Sequence, residues 1–254
     1  MMHAGDMWDA VVGVPSGYAM AHDEVHVWRA RTGWRPADID ALSEILAPDE
    51  RQKAARFYFP IDRERHVIGR AMVRVLLGHL IGATPDDLRF SYNGFGKPYL
   101  ADDAREPRLE FNVSHSGDLI LVGLSFGRAI GVDVEQIRGE RDVDGIAGHF
   151  FSAREQADLA ALDPALRHDA FFSCWSRKEA FIKARGEGLS LPLDQFDVSL
   201  VPGEPARLLA TRPDPAEAAK WTMRNLDAGP GHKAALVVEG AGWTLKTWEW
   251  LRPS

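Results

Sequence analysis

LEFNVSHSGDLILVGLSFGRAIGVDVE, residues 109–135, is the stretch that decides the fold. Apolar runs at 109–113 and 119–126 flank the polar elbow 114–117, which predicts two strands joined by a tight turn. A further strand begins at Ala129, where apolar and acidic residues alternate. The middle of the chain therefore forms β-structure, and we place the boundary between two halves just before this last strand.

Long helical patterns lie on both sides of this stretch. Apolar residues recur every three or four positions over 62–80, which predicts a helix with one buried face. A second helix runs from Pro164 to about 185 and ends where Gly186 can adopt the left-handed conformation. Each half reads as a strand, a long helix and further strands, so we predict an α+β fold of two similar halves.

The predicted domain organisation has three parts, namely an N-terminal arm at 1–24, an N-terminal half at 25–127 and a C-terminal half at 128–254. In the C-terminal half, Ser152 and Glu155 have the spacing of a helix capping box. The proline-rich segment 202–215 favours a surface loop.

Composition excludes several classes of protein. The 254 residues are 45% hydrophobic and 26% charged, as in a globular protein, and the net charge of −7 argues against nucleic-acid binding through a basic surface. The single Cys174 has no partner for a disulfide, which suits a reducing compartment. The first 24 residues lack the pattern of a secretory signal, and arginines interrupt the apolar stretch 67–81. We expect a cytoplasmic protein without membrane or nucleic-acid partners.

Two carboxylates in the strand after residue 129 point to a cation. Asp133 and Glu135 are two positions apart, so both project from one face of the strand while Val132 and Val134 project from the other. Hard oxygen ligands select magnesium, calcium or manganese. The alternative is an exposed edge strand with solvated acids.

The helix 164–185 carries an acid and a base beside a large aromatic residue. Helical spacing places Trp175, Glu179 and Lys183 on one stripe. Glu179 and Lys183 could form an ordinary surface pair, but tryptophan is usually mostly buried, which indicates that this stripe faces inward.

Two glycine-containing turns could hold phosphate. The elbow 114–117, Ser-His-Ser-Gly, offers hydroxyl, imidazole and backbone amide groups, although such residues also dominate ordinary polar turns. Gly96-Lys97-Pro98 is either a hairpin turn or a loop that lets a ligand approach closely. Local cations are present at Lys53, Arg56, Arg63 and Arg65, which could equally be solvated.

In this order, these motifs resemble the surfactin-synthetase type of 4′-phosphopantetheinyl transferase. The resemblance covers residues 48–200 and rests on Gly96-Lys97-Pro98, the block 111–116, Gly131 to Glu135, and Trp175 to Lys183 followed by 188–193. It implies a pseudo-twofold α+β fold with coenzyme A in the cleft between the halves and Mg²⁺ on its pyrophosphate.

The resemblance also implies roles for individual residues. Asp133, Glu135 and Glu179 match metal ligands, and Glu179 matches the base that accepts the proton of the carrier serine. The matching contacts to coenzyme A are Lys183, Ser114 and His115 on its phosphates, Lys97 and Pro98 around adenine, and Lys53 and His66 near the 3′-phosphate. Close relatives often carry a lysine where this chain has Glu50, whose charge would weaken 3′-phosphate binding if the side chain points inward but would be screened if it turns into solvent.

The resulting prediction is an enzyme that transfers 4′-phosphopantetheine from coenzyme A to a serine of an apo acyl or peptidyl carrier protein and releases 3′,5′-ADP. Alternatives are a metal-dependent nucleotide-diphosphate hydrolase and a non-catalytic module that binds carrier proteins or coenzyme A. The carrier could belong to fatty-acid, polyketide or nonribosomal peptide synthesis. We expect a monomer, because a cleft between halves of one chain needs no second copy.

Overall fold

The computed structural model describes residues 14–252, except Ser16, Asp102, Glu140, Arg141 and Pro213. Helices and strands are mixed along the chain, which confirms the α+β class. The chain divides into two compact units. Unit 1 contains the chain up to Ser91, Pro98–Gly127 and the segment from Trp243 onward, and unit 2 contains Tyr92–Lys97 and Arg128–Gly242.

Unit 1 is built on a four-stranded sheet with the order β11-β1-β5-β4. Its strands are β1 (Glu24–Arg31), β4 (Leu109–Ser116), β5 (Leu119–Phe126) and β11 (Thr244–Glu249). The short strands β2 (Phe90–Tyr92) and β3 (Pro98–Leu100) pair in a hairpin. The helices of this unit are α1 (Pro36–Glu44), α2 (Pro48–Ala55) and α3 (Pro60–Ile81).

Helix α3 forms much of the core of unit 1. It extends two residues further at its start than the spacing predicts, because Pro60 occupies the first turn, where a missing N–H costs nothing. Gly82 ends it in the left-handed conformation, with φ of 70°. The predicted apolar face is buried, as Val67, Ile68, Met72, Val75 and Leu76 are, whereas Leu80 is half-buried.

The N-terminal arm predicted at 1–24 is only partly described, since 1–13 and Ser16 lie outside the described residues. Tyr18 is buried in the core of unit 1. Its hydroxyl accepts a hydrogen bond from Trp28 Nε1 at 3.1 Å and bonds to His26 Nδ1 at 2.8 Å. The described part of this segment is therefore anchored to β1.

Unit 2 contains two sheets and three described helices. Strands β6 (Ile130–Gln136), β9 (Trp221–Leu226) and β10 (His232–Glu239) form a sheet in the order β6-β10-β9, and β7 (Phe196–Val198) pairs with β8 (Leu208–Thr211). The helices are α4 (Val143–Phe150), α5 (Ala153–Ala161) and α6 (Pro164–Arg185). None of the described helices in either unit combines the length and apolar character needed to cross a bilayer.

Helix ends in unit 2 follow the sequence closely. Glu155 N donates to Ser152 Oγ at 3.2 Å and Ser152 N donates to Glu155 Oε2 at 2.9 Å, which confirms the capping box. Helix α6 ends at Gly186, with φ of 72°, as predicted. The prediction of a loop over 202–215 is wrong for Leu208–Thr211, because these residues form β8 and pair with β7.

The last strand belongs to the first unit. Strand β11 runs parallel to β1, with Val25 opposite Leu245 and Val27 opposite Thr247. Strand β5 pairs with the other edge of β1. The sequence-based division assigns all of 128–254 to one half, whereas strand pairing joins the segment from Trp243 onward to unit 1.

Candidate active site

The carboxylates of unit 2 lie where helix α6 approaches strand β6 closely. A Cβ atom at Gly131 would lie 2.0 Å from Ala180 O and 2.4 Å from Ala184 N, so only glycine permits this approach. Two residues further along β6, Asp133 is buried, and Glu135, on the same face of the strand, is half-buried. The predicted pair of carboxylates is thus carried on a strand whose distance from α6 is set by Gly131.

Helix α6 contributes the acid and the base of the predicted stripe. Lys183 Nζ donates to Asp133 Oδ1 at 2.6 Å, and 27% of the Lys183 side chain is exposed. Burial raises the pKa of Glu179, and the nearby charge of Asp133 raises it further, whereas Lys183 opposes the shift. The structure therefore couples Asp133, Glu179 and Lys183 electrostatically. Trp175 lies inward as predicted, packed against Phe171 with ring centroids 5.9 Å apart.

Whether these residues fit a metal ion depends on their chemistry. Carboxylate oxygens suit Mg²⁺, and a divalent cation would relieve the repulsion between Glu179 and the buried Asp133. Among the described residues, however, no group of three or more His, Cys, Asp or Glu side chains is arranged to hold a metal ion. An ammonium group, Lys183, lies against Asp133. The donor set fits Mg²⁺ by its chemistry, and the magnesium site stays a prediction.

In unit 1, the predicted cations Lys53 and His66 lie on helices α2 and α3. Lys53 is exposed, and His66 is half-buried, with its Nε2 3.2 Å from the backbone oxygen of Glu50. The pKa of His66 is lowered by burial, with a smaller contribution from the charges of Lys53 and Arg70. The two predicted residues thus share one positively charged region.

Of the two orientations left open for Glu50, the structure shows the inward one, since the residue is 4% exposed. Its Oε1 accepts hydrogen bonds from Arg70, and its Oε2 accepts one from Arg74 Nε at 2.6 Å. Ala47 N also donates to Oε2, at 2.9 Å. Glu50 points inward because α3 supplies two arginines, 20 and 24 positions later, that neutralise and bury this carboxylate.

Ser114 and His115 lie near the end of β4. Ser114 is buried and His115 is exposed, because neighbouring residues of a strand project from opposite faces. The alternation places His115 on the face that carries the core residue Phe111. Ser114 and His115 therefore project from opposite faces of β4.

The turn residues of the β2–β3 hairpin have a structural role in unit 2. Lys97 Nζ donates to Ala184 O and Ile130 O, each at 3.1 Å, and Asn93 Nδ2 donates to Gly186 O at 2.7 Å. The bonds to Ala184 O and Gly186 O satisfy carbonyl groups at the end of α6, which otherwise lack helical partners, and the bond to Ile130 O ties the same lysine to β6. Pro98 begins β3 and is half-buried. The adenine contacts of Lys97 and Pro98 stay predictions.

Sequence reasoning missed a buried ionic network on α6. Lys178 Nζ and Glu155 Oε2 are 2.7 Å apart, and both side chains are 0% exposed. The ammonium also donates to Leu193 O and Phe196 O, each at 2.7 Å. The only signal in the sequence was helical spacing, which places Lys178 off the stripe of Glu179 and Lys183.

Two known protein families together match most of the chain. Residues 129–237 match the 4′-phosphopantetheinyl transferase superfamily, and residues 32–125 match the family described as 4′-phosphopantetheinyl transferase, N-terminal. The second match includes both α2 and α3.

Individual relatives agree with these families. The chain is 36% identical to 4′-phosphopantetheinyl transferase HetI of Nostoc sp. over 236 residues, which are 93% of this chain and 96% of HetI. It is 35% identical to 4′-phosphopantetheinyl transferase Sfp of Bacillus subtilis over 199 residues, 78% of this chain and 84% of Sfp.

Among solved structures, Thermotoga maritima holo-[acyl-carrier-protein] synthase (AcpS) superposes with a TM-score of 0.36 and 21% identity, over 44% of this chain and 62% of that one. This likeness is too partial to add to the assignment, which rests on the family matches and the relatives. The chain belongs to the 4′-phosphopantetheinyl transferase superfamily and is of the surfactin-synthetase type.

Proposed function

We propose that this 4′-phosphopantetheinyl transferase moves the phosphopantetheine group of coenzyme A onto a serine of an apo carrier protein, with Glu179 as the proton acceptor. The observation that carries the proposal is the coupled group of Asp133, Glu179 and Lys183 at the β6–α6 contact. In the metal-free protein, burial and the charge of Asp133 raise the pKa of Glu179, and a carboxylate placed beside these groups is a suitable acceptor for the proton of a hydroxyl.

The reaction balances as a phosphoryl transfer. The serine oxygen attacks the phosphorus that carries the pantetheine arm, and a new P–O bond forms while the bond to 3′,5′-ADP breaks. The serine proton passes to Glu179, and the electron pair of the broken bond leaves on 3′,5′-ADP. Such a reaction needs in-line positioning and neutralisation of phosphate charge more than it needs covalent catalysis.

Asp133, Glu135 and Glu179 would hold Mg²⁺, which supplies charge neutralisation on the pyrophosphate when bound. Lys183 contributes a further positive charge for the phosphates, since part of its side chain is exposed beside Asp133. Ser114 and His115 contact the pyrophosphate and 3′-phosphate, Lys53 and His66 bind near the 3′-phosphate, and Lys97 and Pro98 line the adenine region. These assignments follow the resemblance of each position to the family pattern.

The partner is a carrier-protein domain, either acyl or peptidyl, and the enzyme acts as a cytoplasmic monomer. The test is to incubate apo carriers of both kinds with coenzyme A, Mg²⁺ and the protein, and to measure the intact mass of each carrier. We expect addition of one phosphopantetheine group, with loss of the reaction in Glu179→Gln. Glu187→Gln is the control, because Glu187 is a half-buried acid just beyond α6 that pairs with Arg185.

Release of free phosphopantetheine with no gain in carrier mass would identify a hydrolase instead. Binding of carrier or coenzyme A without either product would identify a non-catalytic module. Either result, obtained with several apo carriers, would overturn the proposal.

A further inference from the structure

Glu50 places a negative charge next to the two residues proposed for the 3′-phosphate, and the structure shows what accompanies that charge. Glu50 of α2 is buried and bonded to Arg70 and Arg74 of α3. A negative charge near a phosphate site would weaken binding if it stood alone. Here it is matched by two arginines, so the region keeps its positive charge.

The two arginines are not equivalent. The Arg74 side chain is 1% exposed, and its Nη1 donates to Pro85 O at 2.8 Å and to Leu88 O at 3.1 Å, so it lies inside unit 1 and is closed to a ligand. The Arg70 side chain is 14% exposed. Its guanidinium lies over the Phe90 ring, 4.6 Å from the centroid, and donates to Glu50 through Nε and Nη2. Among the described residues, Arg70 Nη1 has no hydrogen-bond acceptor.

Arg70 also lies with the two residues proposed for the 3′-phosphate. His66 and Arg70 are four positions apart on α3 and share one face of the helix. Lys53 follows Glu50 by three positions on α2, and the Glu50 backbone oxygen lies 3.2 Å from His66 Nε2. Lys53, Arg70 and Arg74 against Glu50 leave an excess of two positive charges.

We infer that Arg70 is a phosphate-binding residue of this enzyme and binds the 3′-phosphate of coenzyme A together with Lys53 and His66. Glu50 is a positioning residue in this arrangement. Its carboxylate holds the Nε and Nη2 edge of the guanidinium, so the Nη1 side is presented to an anion in a fixed direction. The inference rests on the proposed function, because it assumes that coenzyme A is bound through its 3′-phosphate.

The test is calorimetric binding of coenzyme A and of dephospho-coenzyme A, with Mg²⁺ and without carrier, so that no transfer takes place. The proteins are the wild type, Arg70→Met, Arg70→Lys, Lys53→Ala and the double variant Glu50→Gln/Arg70→Met. The double variant removes both charges of the pair and so leaves no buried carboxylate unpaired. The matched control is Arg63→Gln, since Arg63 lies on the same helix and pairs with Asp40 at 3.1 Å.

We expect the wild type to bind coenzyme A about tenfold or more tightly than dephospho-coenzyme A, since each charge-assisted bond to phosphate is worth roughly that factor. Arg70→Met and the double variant should lose most of this preference through weaker coenzyme A binding alone. Arg70→Lys should restore part of it, and Arg63→Gln should keep all of it.

Two results would contradict the inference, and they differ in what else they affect. If the wild type and the folded Arg70 variants share one preference while Lys53→Ala loses it, Arg70 does not bind the 3′-phosphate, although the site itself stands. If the wild type binds both donors equally, the proposed recognition of the 3′-phosphate by Lys53 and His66 fails together with the role of Arg70.

Discussion

Glu50 joins two helices of unit 1 through its side chain and its backbone. The carboxylate binds Arg70 and Arg74, and the backbone oxygen lies next to His66. A charge inside a protein is tolerated only when it is paired and hydrogen-bonded, and here the carboxylate is paired with two arginines of α3 and also accepts a bond from Ala47 N of its own turn. The position of Lys53 relative to α3 therefore depends on Glu50.

Glu50→Lys should destabilise the protein by about 3 kcal/mol or more, because it buries a third cation beside two arginines. The measurement is urea unfolding of the variant and the wild type. Asp49→Lys is the control, since Asp49 is an exposed acid on the same helix, and it should cost less than about 1 kcal/mol. Equal stability of Glu50→Lys and wild type would mean that the carboxylate is not buried between the arginines.

Asp133→Ala, Glu135→Ala and Glu179→Ala should each lower the rate of transfer by about a hundredfold or more while the fold is kept. Glu179→Ala should also hold or raise stability, because it removes a carboxylate that burial and Asp133 both disfavour. Transfer rates at limiting Mg²⁺ and thermal unfolding test both statements. A variant with near-wild-type turnover under these conditions would lose its assignment.

For single residues, the sequence predicts which acidic and basic side chains share a face, but it does not predict which of these charges are buried. Glu179 and Lys183 follow from helical spacing, since four positions always return to one face. The burial of Glu50 does not, because it depends on arginines that lie on another helix. The partner of Asp133 is likewise a tertiary contact, 50 positions along the chain.

Among the secondary-structure elements, α6 carries two functions on different faces. One face presents Glu179 and Lys183, and another buries Lys178 against Glu155 of α5. Glu155 Oε1 also accepts a bond from Val198 N at 2.8 Å. The buried pair therefore links α5, α6 and β7, and it fixes the helix that carries Glu179.

Lys178→Met should destabilise the protein by about 3 to 5 kcal/mol, because it leaves Glu155 charged and unpaired in the core. Adding Glu155→Gln should recover part of that loss, since the second change removes the uncompensated charge. A double-mutant cycle from urea unfolding measures the coupling between the two residues. Strictly additive losses would argue against a direct ion pair.

The pairing of β1 with β11 should respond to acid through Glu24. The pKa of Glu24 is lowered to about 2, chiefly by its bond from Lys246 on β11 and also by the backbone N–H of Ala21. An acid with a lowered pKa stabilises the fold above its unfolded value of 4.5, and the contribution is lost as the pH falls toward 2.

Glu24→Gln should therefore lower stability at pH 7, by no more than about 1 kcal/mol because the Lys246 partner is partly exposed. The difference from wild type should shrink as the pH falls below 4.5. Unfolding free energies of both proteins between pH 2 and pH 7 provide the measurement. A difference that is constant over this range would show that Glu24 has an ordinary pKa.

Most elements could be predicted from the sequence because their signals are local. The capping box at Ser152, the proline starts of α3 and α6 and the glycine stop of α6 each act within a few residues. Strand β8 could not be found in this way, since Leu208–Thr211 is short and is held by pairing with β7. The local sequence of β11 also does not show that it belongs to unit 1, because its pairing partner β1 lies far away in the chain.

On the scale of the whole molecule, the acidic balance of 30 basic and 37 acidic residues shapes the encounter with a carrier protein. We propose that recognition combines apolar contacts with charge. An acidic carrier would be repelled by the acidic residues of this protein and attracted by its basic residues, so screening by salt should weaken both interactions.

The carrier KM should therefore change only a few-fold when ionic strength is raised from about 0.05 to about 0.5 M. Steady-state kinetics with a fixed, saturating concentration of coenzyme A give this value. A steep rise of KM with salt would show instead that a basic docking surface dominates recognition.

The parallel pairing of β1 with β11 also determines when the sheet of unit 1 can be completed during translation. Arg29 binds Glu249, which is synthesised 220 residues later. Until then, one edge of β1 on the nascent chain has backbone N–H and C=O groups without their strand partner, and such an edge can template association with other chains. Unit 2, from Arg128 to Gly242, is translated entirely within this interval. This edge of β1 therefore stays open until the ribosome has passed Glu249, and the nascent chain is exposed to association over that whole interval.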